Sequence, residues 1–171
     1  MMSSGDPDQA WKVLALVNDW VKHAEAKAGA SLTLAFAIAG LLYNLVKAEQ
    51  HPSGWVITLA AVCAITSLAA VCLAGWSLRP RLRPTEPPTN LLYFDHIARK
   101  HPRVGGPAPY VADLRVPLTN TDDLFDQIAH QVWANSHVAR DKFLWGGASM
   151  IFAFISAIAL AWTAVALLVT A

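Results

Sequence analysis

Asp126, His130, His137 and Asp141 follow one another at spacings of four, seven and four, so on a helix they share one face. Imidazoles and carboxylates so placed are ligands for a divalent cation. The polar face of any water-exposed helix gives the same pattern, however. Asp95, His96 and His101 lie in a segment where nothing fixes them beside that face. The reading is therefore no metal and no cofactor. The chain also lacks a Gly-x-Ser-x-Gly elbow, a phosphate-cradling glycine-rich loop and a His-Glu-x-x-His pair. Gly105-Gly106, between Pro102 and Pro107, reads as a turn. No catalytic residue is assigned, and the chain is expected not to be an enzyme.

The elements that must position any chemistry are dominated by three stretches without Asp, Glu, Lys or Arg: Ala30–Val46 (17 residues), Trp55–Trp76 (22) and Phe143–Thr170 (28). About 20 apolar residues of helix cross a ~30 Å hydrocarbon core. Lipid offers no partner to a bare N–H or C=O, so only helices and closed barrels cross it. Nothing here alternates with period two as a barrel strand does. The expected fold is an all-α membrane protein with three transmembrane helices. Two of them extend into the cytosol, and a small irregular cytosolic lobe could hold short strands.

Composition agrees: 55% of residues are hydrophobic and 15% charged, against about 25% charged in soluble domains. A net charge of +1 gives no field for nucleic acid. The spans hold no ionisable residue to mark a transport path. Their notable polar groups are Thr33, Asn44, Thr66 and Ser156. Small residues over Ala35–Gly40 and Ala61–Ala70 permit close helix approach. Cys63 and Cys72, nine apart on one helix, cannot bridge each other.

Thirteen Lys and Arg residues set the orientation. Lys12, Lys22 and Lys27 precede the first span, and Lys47 alone lies in the first connection. Nine fall between the second and third spans, from Arg79 to Lys142. Positive loops stay in the cytoplasm. The expected division is a cytosolic amphipathic helix over 1–29, spans over 30–46, 55–76 and 143–170, an outer turn over 47–54 and a cytosolic lobe over 77–142. The N-terminus is inside and the C-terminus outside. The opening Met-Met-Ser-Ser-Gly-Asp has no basic region of a signal peptide. Tyr43, Trp55, Trp76, Trp145 and Trp162 read as interface anchors.

Residues 1–7 are expected to be disordered, with Asp8 as N-cap. Trp11, Val13, Leu14, Leu16, Val17, Trp20, Val21 and Ala24 then recur mostly at spacings of three and four, and Lys12, Asp19, Lys22 and Glu25 fill the other face. That helix should run into the first span. The prolines after Trp76 favour extended chain, with Arg79, Arg81 and Arg83 against lipid headgroups. Leu91–His101 reads as a short helix, Pro102–Pro109 as a loop, and Tyr110–Leu118 as a strand or extended arm. Thr121 with Asp122 and Asp123 opens a helix. It continues through Leu124–Lys142 into the third span, with Leu124, Ile128, Val132 or Gln131, Asn135 and Val138 inward. Apolar stripes in water must be covered, which favours a homo-oligomer.

Three separated patches resemble the transmembrane effector family of Pycsar antiphage systems: Trp20-Val-Lys-His-Ala-Glu-Ala-Lys-Ala-Gly-Ala-Ser, Tyr93-Phe-Asp-His-Ile-Ala, and Asp126–Phe143 leading into the last span. Order and spacing of the spans agree over nearly the whole chain. The acid of the first patch is more often Asp in that family; here it is Glu25. The resemblance implies a defence effector. A partner pyrimidine cyclase makes cyclic CMP or cyclic UMP on infection; the effector senses it through its cytosolic part, assembles and impairs the inner membrane. Such a ligand needs a cation or helix N-terminus for its phosphate and an aromatic or amide for its base. Lys27, Arg99 and Arg140 could supply charge, Tyr93 and Phe94 could stack, and Asn135 could read a base edge; Lys100, Arg103, Arg115, Tyr110 and Gln131 are further candidates. Each has a plain structural role as an alternative: Phe94 as lobe core, Lys27 and Lys142 as snorkelling anchors, Asn135 as a helix–helix hydrogen bond. The rival functions are a membrane scaffold that binds a partner protein and a small ion channel without nucleotide sensing.

Overall fold

In the computed structural model the chain is described over residues 6–47, 49, 51–80 and 90–170. The order is α1 (Pro7–Lys47), α2 (Gly54–Leu78), α3 (Phe94–Lys100), a 3-10 turn at Arg103–Gly105, α4 (Ala108–Thr119) and α5 (Thr121–Thr170). Among the described residues there is no strand. Contacts divide the chain into two compact units, Met1–Val21 with Pro80–Arg140, and Lys22–Arg79 with Asp141–Ala171. α1 and α5 each contribute to both.

α1 starts earlier than expected, and Asp8 is not its cap. The carboxylate of Asp6 accepts the Asp8 N–H at 2.9 Å, and Pro7 takes the first helical position, where its missing N–H costs nothing. The expected disorder over 1–5 lies outside the described residues. Thr121 is likewise displaced as a cap by Asn120. The Asn120 side-chain oxygen accepts the Asp122 N–H at 3.2 Å, and its amide donates to Asp123 at 3.0 Å.

Three helices are long and apolar enough to cross a membrane: Pro7–Lys47, Gly54–Leu78 and Thr121–Val169. In the second unit, α1 buries Ala24, Ala28, Ser31, Ala35, Ile38 and Leu42, at steps of four and three. α2 buries Val56, Cys63, Ser67, Ala70, Ala74 and Ser77 on the same period. α5 continues it with Lys142, Ser149, Ala153, Ser156 and Thr163. A repeat of 3.5 is the seam of left-handed helix packing. The small side chains let backbones approach, which is how helices associate in lipid without a hydrophobic drive. Phe36, Ile65, Leu68, Ile151 and Phe154 point away from this seam and are exposed.

Cation–ring contacts mark two levels in this unit. Lys27 lies 5.2 Å from the Phe143 ring, Arg79 lies 5.5 Å from Trp76, and Trp76 meets Trp145 edge-on at 6.4 Å. Lys47 lies 5.8 Å from Tyr43. Lys27 and Lys47 stand twenty residues apart on α1, about 30 Å of helix and the thickness of a hydrocarbon core. The arginines at 81 and 83, and the extended stretch expected from there to 89, lie outside the described residues.

The first unit packs differently. Ala10 and Leu14 of α1 meet Ile128 of α5, with Leu92, Leu124, Phe125 and Val132 around them. Asn135 donates to Asn18 at 2.8 Å. The expected strand or arm at Tyr110–Leu118 is instead helix α4. Pro107 and Pro109 preset the first turn, and the Val111 N–H reaches the Pro107 carbonyl at 3.0 Å. Tyr110, Asp113, Leu114 and Pro117 turn inward at helical spacing. The β-branched Val111 and Val116 are outward. Gly106 at φ 66° turns the chain into this helix, a conformation open to glycine.

Candidate functional site

α3 gathers three of the residues singled out in the sequence. Tyr93 sits just ahead of its first turn, with its ring 4.8 Å from Phe94 and 5.1 Å from His96. Phe94 is exposed, at 61%, so its plain role as lobe core is not what the structure shows. Burial, and then the negative charge of Asp95, push the Tyr93 phenol above its ordinary range. Arg99 lies 3.8 Å from Asp95 one turn back.

The segment before α3 is tied down by side chains, because it has no helix ladder of its own. Asn90 donates its amide to the Gln127 carbonyl at 2.8 Å, and the Leu91 N–H reaches the Gln127 side chain at 2.9 Å. The Asn90 N–H donates to His96 Nδ1 at 3.2 Å. Nδ1 therefore carries no proton, and Nε2 does. His96 is buried, yet its Nε2 has no hydrogen-bond partner among the described residues; the same holds for Asp95 Oδ2 and His101 Nε2. Buried polar atoms are nearly always paired; of these three, Asp95 Oδ2 faces Arg99 and His101 Nε2 faces Asp113 without a hydrogen bond. In the sequence His96 stands out as a metal candidate and as part of the Tyr93–Ala98 patch, not as a ligand-facing donor.

A cleft of about 440 Å³ opens between α3, α4 and α5, lined by Lys100, Asp113, Asp123, Asp126 and Gln127, with Leu91 at its base. Lys100 holds Asp113 at 2.8 Å, and His101 stands 3.5 Å from the same carboxylate. The hydrogen bond from Lys100 holds the Asp113 carboxyl below its ordinary range. With three carboxylates to one ammonium, this cleft favours hydrogen-bond donors over an anion. A second, apolar groove lies between α1 and α5 of this unit, lined by Val13, Phe125, Val132, Trp133 and His137. Trp133 and His137 meet edge-on at 4.6 Å.

The other sequence candidates fall elsewhere. Asn135 is engaged with Asn18. Arg140 is exposed on α5. Lys27 belongs to the second unit, over Phe143. Lys142 is no snorkeller: it is 4% exposed, and its ammonium donates to Glu25 at 2.8 Å and to the Ser77 carbonyl at 3.0 Å. The seam of the spans also carries hydroxyls, of which only Ser156 stands out in the sequence. Ser31 and Ser149 meet at 2.7 Å, Ser67 and Ser156 at 2.6 Å. Their signal was the 3.5 period of serine among alanines. Among the described residues no three His, Cys, Asp or Glu side chains converge for a metal.

Aromatic rings on a short tethered helix, orphaned polar atoms beside them, and long apolar helices define the chain's chemistry. Residues 9–170 match the family described as the Pycsar effector protein domain. The Pycsar effector protein PtPycTM of Propioniciclava tarda is 34% identical over 153 residues, which cover 88% of this chain and 75% of that protein. No solved structure matches the chain. With the match spanning both long helices and everything between them, the chain belongs to the Pycsar effector family.

Proposed function

We propose that this protein is a non-catalytic antiphage effector that senses a cyclic pyrimidine nucleotide and impairs the inner membrane, ending growth of the infected cell. The observation that carries the reading is the family match over 9–170. A pyrimidine cyclase supplies the ligand, cyclic CMP or cyclic UMP. The N-terminus and the segment between the second and third spans lie in the cytosol, where twelve of the thirteen Lys and Arg residues gather; α1 and α5 extend there from the membrane, and the C-terminus is outside. The ligand docks on α3. Tyr93 and Phe94 stack the base, Arg99 turns from Asp95 to the phosphate, and the His96 Nε2–H donates to the ligand. Arg140, Asn135 and Lys27 are second-rank candidates. The protein works as a homo-oligomer in the bilayer.

Titration calorimetry of the detergent-solubilised protein with cyclic CMP and cyclic UMP tests this. Binding of one of them, weakened at least tenfold by Arg99→Ala (about 1.4 kcal/mol), is expected. Binding of neither would leave the partner-binding scaffold as the better account.

A further inference from the structure

Within the second unit, three helices meet at one polar point. The Lys142 ammonium of α5 donates to the Glu25 carboxylate of α1 at 2.8 Å and to the Ser77 carbonyl of α2 at 3.0 Å. The Ser77 hydroxyl returns a bond to the Lys142 carbonyl at 3.0 Å. Gly146, one turn on, marks how closely the helices approach here: a Cβ there would stand at ordinary contact distance, 3.4 Å from the Ser77 hydroxyl, 3.5 Å from the Ala24 carbonyl and 3.7 Å from the Ala28 Cβ. The two ends of the pair are unlike. The Lys142 side chain is 5% exposed and that of Glu25 is 44% exposed.

A buried ion pair is a poor choice for stability alone. Desolvation offsets most of its attraction, and an apolar replacement is often as stable or more so. Breaking it by removing one partner is another matter, because the remaining charge is then buried alone. A packing held this way is bistable. It is closed while the pair is made, and it is driven open once the lysine loses its acid. Glu25, half in water, is the end that can be drawn away.

We propose that Glu25, Ser77 and Lys142 form a latch that keeps α1, α2 and α5 in the sealed arrangement, and that its opening is the step that makes the effector leak. This rests on the membrane-impairing function proposed above. It makes opposite predictions for two substitutions. Glu25→Gln strands the buried ammonium and opens the bundle. Glu25→Gln combined with Lys142→Met removes the stranded charge and keeps its volume, so the bundle stays shut.

The full chain is reconstituted in phosphatidylethanolamine–phosphatidylglycerol vesicles loaded with a self-quenched dye. Wild type should leak only with cyclic CMP or cyclic UMP. Glu25→Gln should leak without nucleotide at least about tenfold faster than wild type. The double variant should be tight without nucleotide and, while still binding it in calorimetry, should leak less than wild type when it is added. Basal leakage of Glu25→Gln equal to wild type, at equal helix content, overturns the latch. So does a double variant as leaky as Glu25→Gln, or one that responds to nucleotide as wild type does. If Glu25→Gln does not fold, the double variant alone decides, since it buries no lone charge. If neither nucleotide binds wild type, the sensing function fails, while basal leakage of the variants still judges the latch.

Discussion

The two units face one problem, polar atoms held away from water, and meet it with different residues. The first unit uses long amides and imidazoles: Asn90 and Gln127 tether the backbone of the segment before α3, and the Asn135 side chain donates to that of Asn18 across two helices. Its apolar centre is a small cluster around Ile128. The second unit uses hydroxyls. Ser156 joins Ser67 at 2.6 Å and donates to the Cys63 carbonyl at 3.0 Å, and Ser149 joins Ser31 and reaches the Ala70 carbonyl at 2.8 Å. Outward polar side chains fold back on their own helix, as Thr33 does on Gly29, Asn44 on Gly40 and Thr58 on Gly54. Lipid cannot satisfy them, so a local carbonyl must. The first unit leaves the His96 Nε2 buried without a partner among the described residues. In the second unit the Ser53 Oγ, just ahead of α2, is left the same way, and within the helices of that unit none is found among the described side chains.

That contrast can be broken most severely at Ile128, which is fully buried. Ile128→Ala should cost roughly 2–5 kcal/mol and act on the first unit alone. Fluorotryptophan NMR in detergent separates the units, since Trp11, Trp20 and Trp133 lie in the first and Trp55, Trp76, Trp145 and Trp162 in the second. Only the first three signals should shift to an unfolded position at lower denaturant. Simultaneous loss of all seven would show that the units do not melt separately.

Gly146 tests the spans. Gly146→Ala places its Cβ at ordinary contact distance, 3.4–3.7 Å from its neighbours, and the helix propensity gained is about 1 kcal/mol, so thermal stability should hold or rise. Gly146→Leu overpacks the same point, and a loss of roughly 1–3 kcal/mol is expected from the shift in midpoint of detergent unfolding. Equal tolerance of both would mean that the close approach is not made.

Much of this architecture was legible from local information. Three apolar stretches, two long helices without a breaker, and the inward stripe through Leu124, Ile128 and Val132 or Gln131 follow from periodicity. α4 was not, because Val111 and Val116 carry a strand preference that tertiary contacts override: Tyr110 reaches the Leu91 carbonyl at 3.3 Å and Asp113 reaches Lys100. At the candidate site, Tyr93, Phe94 and Arg99 were readable as a compact aromatic and basic patch. The orphaned His96 Nε2 was not, since an absent partner has no sequence signal.

Smaller effects sharpen the comparison. Ser156→Ala should cost about 0.6 kcal/mol, and no more than about 1.7, as hydroxyl bonds between membrane helices do; steric trapping in bicelles measures it. The smallest is electrostatic. The Asp113 carboxyl is held below its ordinary value, so its contribution is present above the unfolded value and is lost as pH falls through the folded one. Loosening of the α3–α4 contact should therefore appear only in acid below about pH 4, and Lys100→Met should abolish that step. Amide exchange at Asp113 reads it. A step that survives the substitution belongs to another carboxylate.

The sequence by itself determined that three helices are apolar enough to span a bilayer and that two of them run on past their apolar stretches, because hydropathy and helix continuity are properties of neighbours in the chain. Only the tertiary structure decided which polar residues meet. Asn18 finds Asn135, and Glu25 finds Lys142, in each case 117 positions away. A spacing of that length carries no periodic signal; it is fixed by how α1 and α5 pack side by side, and with it the placement of a buried charge that no stretch of sequence announces.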